Sequence, residues 1–169
     1  SASASGVSSL ALGDSSAASG TNSIAVGRSS NATAESSTAV GVGASAAAKD
    51  ALALGSGSSA SGGSSIALRD ASSATQTNAM ALGVGSQATH ADATAIGTGA
   101  STTAESRVTM GDGETAYQAP GLTSLAGTDY SLVVSNQTGV LSALSLGMLP
   151  NDTTFCVGSG QEATCYGEN

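Results

Sequence analysis

Hydrophobic and polar positions recur along this chain with a period of fourteen. Starting at Ser9, eight in-register frames begin at Ser9, Ser23, Ser37, Ala51, Ser65, Ala79, Ala93 and Arg107 and run without insertion to Pro120. Residues 1–8 read as the tail of an earlier partial frame. The second position of each frame is Leu10, Ile24, Thr38, Leu52, Ile66, Met80, Thr94 or Val108, and the fourth is Leu12, Val26, Val40, Leu54, Leu68, Leu82, Ile96 or Met110. Two apolar positions separated by one residue have the period of a strand. The third position is Ala in all frames but the last, which has Thr109, so the other side of the strand is also small and uncharged. The aliphatic side chains Leu10, Leu12, Ile24, Val26, Val40, Leu52, Leu54, Ile66, Leu68, Met80, Leu82, Ile96, Val108 and Met110 are therefore expected to form the core, with the alanines turned outward towards a neighbouring protomer.

The fifth position ends the strand with Gly13, Gly27, Gly41, Gly55, Gly83, Gly97 and Gly111, where a positive φ is accessible. Arg69 breaks this series, and a residue with a Cβ is expected to turn its coil differently, with the side chain outward. A second short strand is expected across the tenth position, Ala in seven of the eight frames, and Asn, Asp or Ser usually closes the frame. Self-similarity at a fixed short period is the mark of a solenoid, with one coil per frame.

Composition sharpens this picture. Leu, Ile, Val and Phe make up only 27 of the 169 residues, a level that raises disorder as an alternative. Only 9% of residues are charged, however, and the aliphatics return to two fixed positions, unlike disordered tracts. A net charge of −8 argues against nucleic acid or an anionic membrane as partner. No apolar run is long enough for a spanning helix and no signal peptide is visible, so any export signal is expected outside these residues.

The pattern changes near Tyr117. All four aromatic residues, Tyr117, Tyr130, Phe155 and Tyr166, and both prolines, Pro120 and Pro150, lie beyond residue 116. The frame is lost after Pro120, and Tyr130 to Leu144 reads as two strands around Asn136-Gln137-Thr138-Gly139. The expected domains are thus 1–120 and 121–169, the second a β cap or a small separate β module. Cys156 and Cys165 suit a local disulfide in an oxidising setting, two free thiols being the other reading.

Candidate chemistry is sparse. Gly-x-Gly-x-x-Ala at Gly55, Gly83 and Gly111 imitates a dinucleotide fingerprint, but a fourteen-residue coil leaves no room for the helix that the fingerprint needs. His90 with Asp92 lacks a nucleophile elbow, and Asp112-Gly113-Glu114 has too few ligands for a calcium loop. Asn31, Asn136 and Asn151 begin Asn-x-Thr triplets that read as turns. No catalytic, cofactor-binding or metal-binding residue is assigned, and the chain is not read as an enzyme.

SLALG, SIAVG, STAVG, ALALG, AMALG and ATAIG, each followed by a small-residue tract, resemble the head repeats of trimeric autotransporter adhesins of the YadA-like type. The resemblance covers residues 1–120. It implies an all-β fold, a left-handed parallel β-roll assembled as a homotrimer, and display on the bacterial cell surface through an outer-membrane anchor elsewhere in the parent chain. It also implies attachment to host cells or to extracellular matrix, a collagen-like protein among them. A spacer in a surface or phage fibre that binds nothing is the alternative. No cofactor, nucleic acid or membrane contact by these residues is expected.

One coil per frame has a direct test. Deleting Ala79 to Asp92, a whole frame, is expected to retain the β-sheet circular dichroism spectrum and a cooperative melt. Deleting seven residues instead shifts every following residue to the wrong side of the coil, and is expected to lower the midpoint and broaden the transition.

Overall fold

The computed structural model describes residues 1–115 and, beyond them, four strands at 131–135, 141–145, 155–157 and 164–166. No helix occurs among the described residues. The chain divides into two compact units, Ser1–Ala116 and Tyr117–Asn169.

In the first unit each frame makes one coil, with two short strands in the six frames from Ser9 to Asp92 and only the three-residue strand in the last two. The three-residue strands are β2 (Leu10–Leu12), β4 (Ile24–Val26), β6 (Thr38–Val40), β8 (Leu52–Leu54), β10 (Ile66–Leu68), β12 (Met80–Leu82), β14 (Thr94–Ile96) and β15 (Val108–Met110). The two-residue strands are β1 (Ser3–Ala4), β3 (Ala17–Ala18), β5 (Asn31–Ala32), β7 (Ser45–Ala46), β9 (Ser59–Ala60), β11 (Ser73–Ala74) and β13 (Gln87–Ala88). Each series stacks into its own parallel sheet, of eight and of seven strands, in chain order. Partners lie fourteen residues apart throughout: Ile66 pairs with Met80 below and Leu52 above, and Ala74 with Ala60 and Ala88. The result is a two-sheet parallel β-solenoid of one coil per frame, as the period requires.

The interior corrects the expected facing of the strands. It is lined by alanines from both sheets: Ala25, Ala39, Ala53, Ala67, Ala81 and Ala95 from the third frame position, and Ala18, Ala32, Ala46, Ala60, Ala74 and Ala88 from the tenth, all fully buried. Buried Ser16, Ser30, Ser58, Ser72 and Ser86 complete the lining beside them. Of Leu10, Leu12, Ile24, Val26, Val40, Leu52, Leu54, Ile66, Leu68, Met80, Leu82, Ile96, Val108 and Met110, none is buried within the chain. Leu12 is 62% exposed and Leu54 46%. The strand alternation is as expected, but the small side faces inward and the aliphatic side outward. The reason is depth: the sheets approach so closely that methyl and hydroxymethyl groups fill the space between them, and a Leu has nowhere to go.

Turns set that approach. At the fifth position Gly13, Gly27, Gly41, Gly55, Gly83 and Gly97 have φ between 112° and 150°, and at Gly111 it is 72°. A Cβ added at Gly13 would lie 2.6 Å from the carbonyl carbon of Gly27 in the next coil, so both conformation and contact demand Gly. Arg69 does not turn its coil differently, contrary to expectation: it keeps a positive φ, 100°, and its N–H still donates to the Leu54 carbonyl at 2.8 Å. The ladder of backbone hydrogen bonds overrides the steric preference of one residue. The frame-closing residues Asn22, Ser36, Asp50, Ser64, Asn78, Asp92 and Ser106 all adopt φ of 55–57°, the left-handed region that Asn and Asp enter most readily.

In the second unit β16 (Ser131–Ser135) and β17 (Leu141–Ser145) pair antiparallel, the two strands expected there; the Asn136–Gly139 link lies outside the described residues. β18 (Phe155–Val157) and β19 (Thr164–Tyr166) form a second antiparallel pair in which Cys156 stands directly opposite Cys165.

The buried serines are not equivalent. Ser30 Oγ donates to the Gly27 carbonyl at 2.8 Å, tying the turn together, whereas Ser23 Oγ and Ser65 Oγ are buried without a partner. Ala44 and Ala100 already occupy the Ser30 position in other coils, so Ala fits there. Ser30→Ala is expected to cost about 0.5–1.5 kcal/mol, and Ser23→Ala to be neutral or stabilising, because it removes a desolvated hydroxyl. Thermal melts of the two variants side by side check the difference in sign.

Candidate functional site

Because the coil interior takes only small side chains, everything larger is displayed outside, on two sheet faces and two turn ridges. The eight-stranded sheet presents the second positions, apolar except at Thr38 and Thr94, and the fourth positions, apolar throughout, as an outer ladder, register partners Leu52, Ile66 and Met80 on one line and Leu54, Leu68 and Leu82 on the next. Val7, Leu10, Leu12, Ile24, Leu54, Leu82, Val108 and Met110 are among its exposed or adjoining apolar residues. Contiguous apolar surface of this kind is the usual character of an association face.

The seven-stranded sheet presents the opposite character. Its outward positions are Ala17, Asn31, Ser45, Ser59, Ser73 and Gln87, followed two residues on by Ser19, Thr33, Ala47, Ser61, Thr75 and Thr89. No charge falls on this face. Asn31 belongs to it, lying in β5 rather than in the turn expected for its Asn-Ala-Thr triplet.

Most charges of the described coils sit on the two ridges. Along the first, at frame positions five to seven, lie Asp14, Arg28, Arg69, Asp70 and Asp112, separated by bare glycine turns. Along the second lie Glu35, Lys49, Asp50, Asp92 and Glu105. Lys49 Nζ meets Glu35 Oε2 at 3.1 Å across one coil step, and this carboxylate holds the ammonium above its usual range. Both are well exposed, so the pair contributes little to stability.

The residues singled out for chemistry are drawn into structural roles. His90 Nδ1 is 3.1 Å from Thr102 Oγ1 and 3.2 Å from Thr89 Oγ1, while Asp92 Oδ1 accepts a 2.9 Å hydrogen bond from Asn78 Nδ2 in the preceding coil. Thr102 stands where the other coils have Ala, and its hydroxyl takes the Thr89 N–H at 3.1 Å, a bond that the next coil's backbone carbonyl accepts elsewhere. The seven-stranded sheet ends at this point, with only a single bridge between Gln87 and Ser101 beyond it. Nothing in the repeat pattern announces that termination except the lone Thr in an Ala column. Asp112 Oδ1 accepts from Thr115 Oγ1 at 2.8 Å and from the Glu114 N–H at 3.2 Å, which keeps its carboxyl below the usual range and folds the carboxylate into its own turn. The glycines Gly55, Gly83 and Gly111 each follow a strand and lead into a turn, not a helix. Among the described residues no cluster of three or more potential metal ligands occurs. No helix among them is long and apolar enough to cross a membrane.

No curated protein sequence matches the chain. The crystal structure of the collagen-binding domain of the Yersinia adhesin YadA is similar in fold, with a TM-score of 0.59 and 25% sequence identity over 82% of this chain and 73% of that one. The family model of the YadA head domain repeat, which spans two copies, matches residues 4–30, 18–44, 32–58, 46–68 and 74–100. Those overlapping matches cover residues 4–68 and 74–100, more than half of the sequence, and each lies on the stacked coils described above; this chain belongs to the YadA head domain repeat family.

Proposed function

We propose that this chain is the head of a bacterial surface adhesin, which assembles as a homotrimer through its aliphatic ladder and attaches to extracellular matrix or host cells with the surfaces left outside. One observation carries the reading: the fully buried residues of the coil are Ala and Ser, while its large aliphatic side chains lie on one outer face. An alanine contributes one methyl, worth about 0.8 kcal/mol when buried, against ~1–2 kcal/mol for fixing each backbone residue. Covering the outer ladder with the same ladder of two other protomers supplies the missing apolar burial, and the aliphatic residues expected to be core become core in that assembly. The spacer alternative leaves the collagen-binding fold relative unexplained.

Matrix attachment follows from the shape of the surface. Strands ~4.8 Å apart make eight coils a column roughly 38 Å long, and an even, shallow surface of this length suits an extended, fibrous ligand such as a collagen-like protein. Many weak contacts repeated over three chains supply avidity without a deep pocket or catalytic chemistry. Anchorage in the outer membrane falls to another part of the parent chain. Residues 121–169 are read as a cap or a second small β module, and Cys156 and Cys165, opposite one another in β18 and β19, are the pair suited to a disulfide within it.

Leu54→Asp places a carboxylate in the proposed trimer contact three times over. Sedimentation is expected to show a trimer for the parent chain and a shift to monomer for the variant, with the melting temperature reduced in step. A folded, stable monomer for the parent chain would sink the assembly reading. Solid-phase binding of the trimer to fibrillar collagen and to other matrix proteins tests the attachment reading, and binding to none of them would favour a spacer.

A further inference from the structure

The first turn ridge carries two exposed arginines. Lys49 is held by Glu35, whereas neither Arg28 nor Arg69 forms an ion pair among the described residues. They lie three coils apart, which at ~4.8 Å per strand spacing separates them by about 14 Å along the column. The coils between them present Gly41-Val42-Gly43 and Gly55-Ser56-Gly57. A Cβ added at Gly43 or Gly57 would meet nothing within 4 Å, so this part of the ridge is bare backbone open to solvent, with Val42 exposed on it.

Arg69 also occupies its place under strain. It is the single non-glycine at the fifth frame position, with φ of 100° where the flanking Gly55 and Gly83 have 142° and 150°. Ala71, two residues on, holds a φ of 52°, as Ser15 and Ser29 do at the same frame position with 55° and 57°, so Arg69 is the residue of this turn that departs from its column. Strain held in a surface turn, where relief needs only a glycine, is a pointer to function. Asp70 beside it is exposed and not within ion-pair distance of the guanidinium.

We propose that Arg28 and Arg69 form the two ends of a recognition track for an extended acidic polypeptide, and that Arg69 is its specificity-determining residue. This rests on the reading of the chain as a binding head and assigns the face that does the binding. An extended chain rises ~3.3 Å per residue, so a 14 Å span matches carboxylates about four residues apart. Each guanidinium donates from its planar fork to one carboxylate, an apolar side chain between them rests on Val42, and the glycine floor lets the ligand backbone approach closely. A sulfated glycan would also seek arginines, but it has no use for the exposed valine between them.

The test uses the full chain with Arg69→Gly, Arg28→Gln and both together. The probes are a proline-rich extended peptide with two glutamates four residues apart around a leucine, its glutamine counterpart, heparin, and fibrillar collagen. Arg69→Gly is expected to raise the melting temperature, because it restores the residue of the other coils, and yet to weaken binding of the glutamate peptide about tenfold, the loss of one charge-assisted contact. Arg28→Gln is expected to weaken binding similarly with the melting temperature unchanged. The glutamine peptide is expected to bind the parent chain no better than the glutamate peptide binds the double variant. Equal binding of the glutamate peptide by parent and double variant overturns the proposal, as does arginine-dependent binding of heparin without binding of the peptide. Collagen binding that ignores both arginines overturns the track and leaves the adhesin reading intact, whereas arginine-dependent peptide binding without collagen binding supports the track and counts against that host ligand.

Discussion

The separation between the two sheets is the constraint from which the rest of this roll follows. With fourteen residues per coil and two turns to make, the strands are two or three residues long and the sheets lie almost against each other. Apart from Thr102 at the end of the shorter sheet, the buried side chains are all Ala and Ser. Every larger side chain is pushed out, so surface character is decided by which outward position it occupies: aliphatic on one sheet, hydroxyl and amide on the other, charged on the ridges. A fold that hides its bulky hydrophobes internally would leave such a surface to chance. Here the coil dictates it.

Much of this was legible from residue order alone. The period, the number of coils, the strand positions and the glycine turns all follow from the frames, because a strict repeat allows one hydrogen-bonding register and each coil must copy its neighbour. The misreading at Leu10, Leu54 and their companions arose from a rule that holds for most domains, that the large apolar side of a strand faces inward. A two-residue periodicity distinguishes the two sides of a strand without saying which is in. The column of invariant Ala at Ala25, Ala39, Ala53, Ala67 and Ala81 held the answer, since only a position with no spare volume excludes every larger residue in so many coils. Arg69 misled in a different way. Local preference forbids its conformation, yet the turn on either side is fixed by bonds from Gly55 to Val40 and from Gly83 to Leu68, and the residue follows its neighbours.

The surface chemistry was less legible. Whether Arg28 and Arg69 share a ridge depends on the coil geometry, which turns a sequence separation of 41 residues into three strand spacings. The role of Thr102 likewise depends on a hydroxyl reaching a backbone N–H that its own coil no longer serves with a carbonyl. Both are visible only once the frames are wound into space.

The direction of the hydrogen bonds has a mechanical consequence. In this roll the bonds between coils, such as Leu10 N–H to the Ser23 carbonyl and Ile24 N–H to the Ser37 carbonyl, point along the column, from one coil to the next. The chain enters at one end of the column and leaves at the other. A pull on its ends therefore loads those bonds along their own length and opens them one coil at a time, as a zipper opens, instead of shearing many together. Each released coil pays out up to about 46–50 Å of slack, at ~3.3–3.6 Å for each of its residues. A roll built in this way yields to sustained tension in equal steps, so it gains length before it gives way.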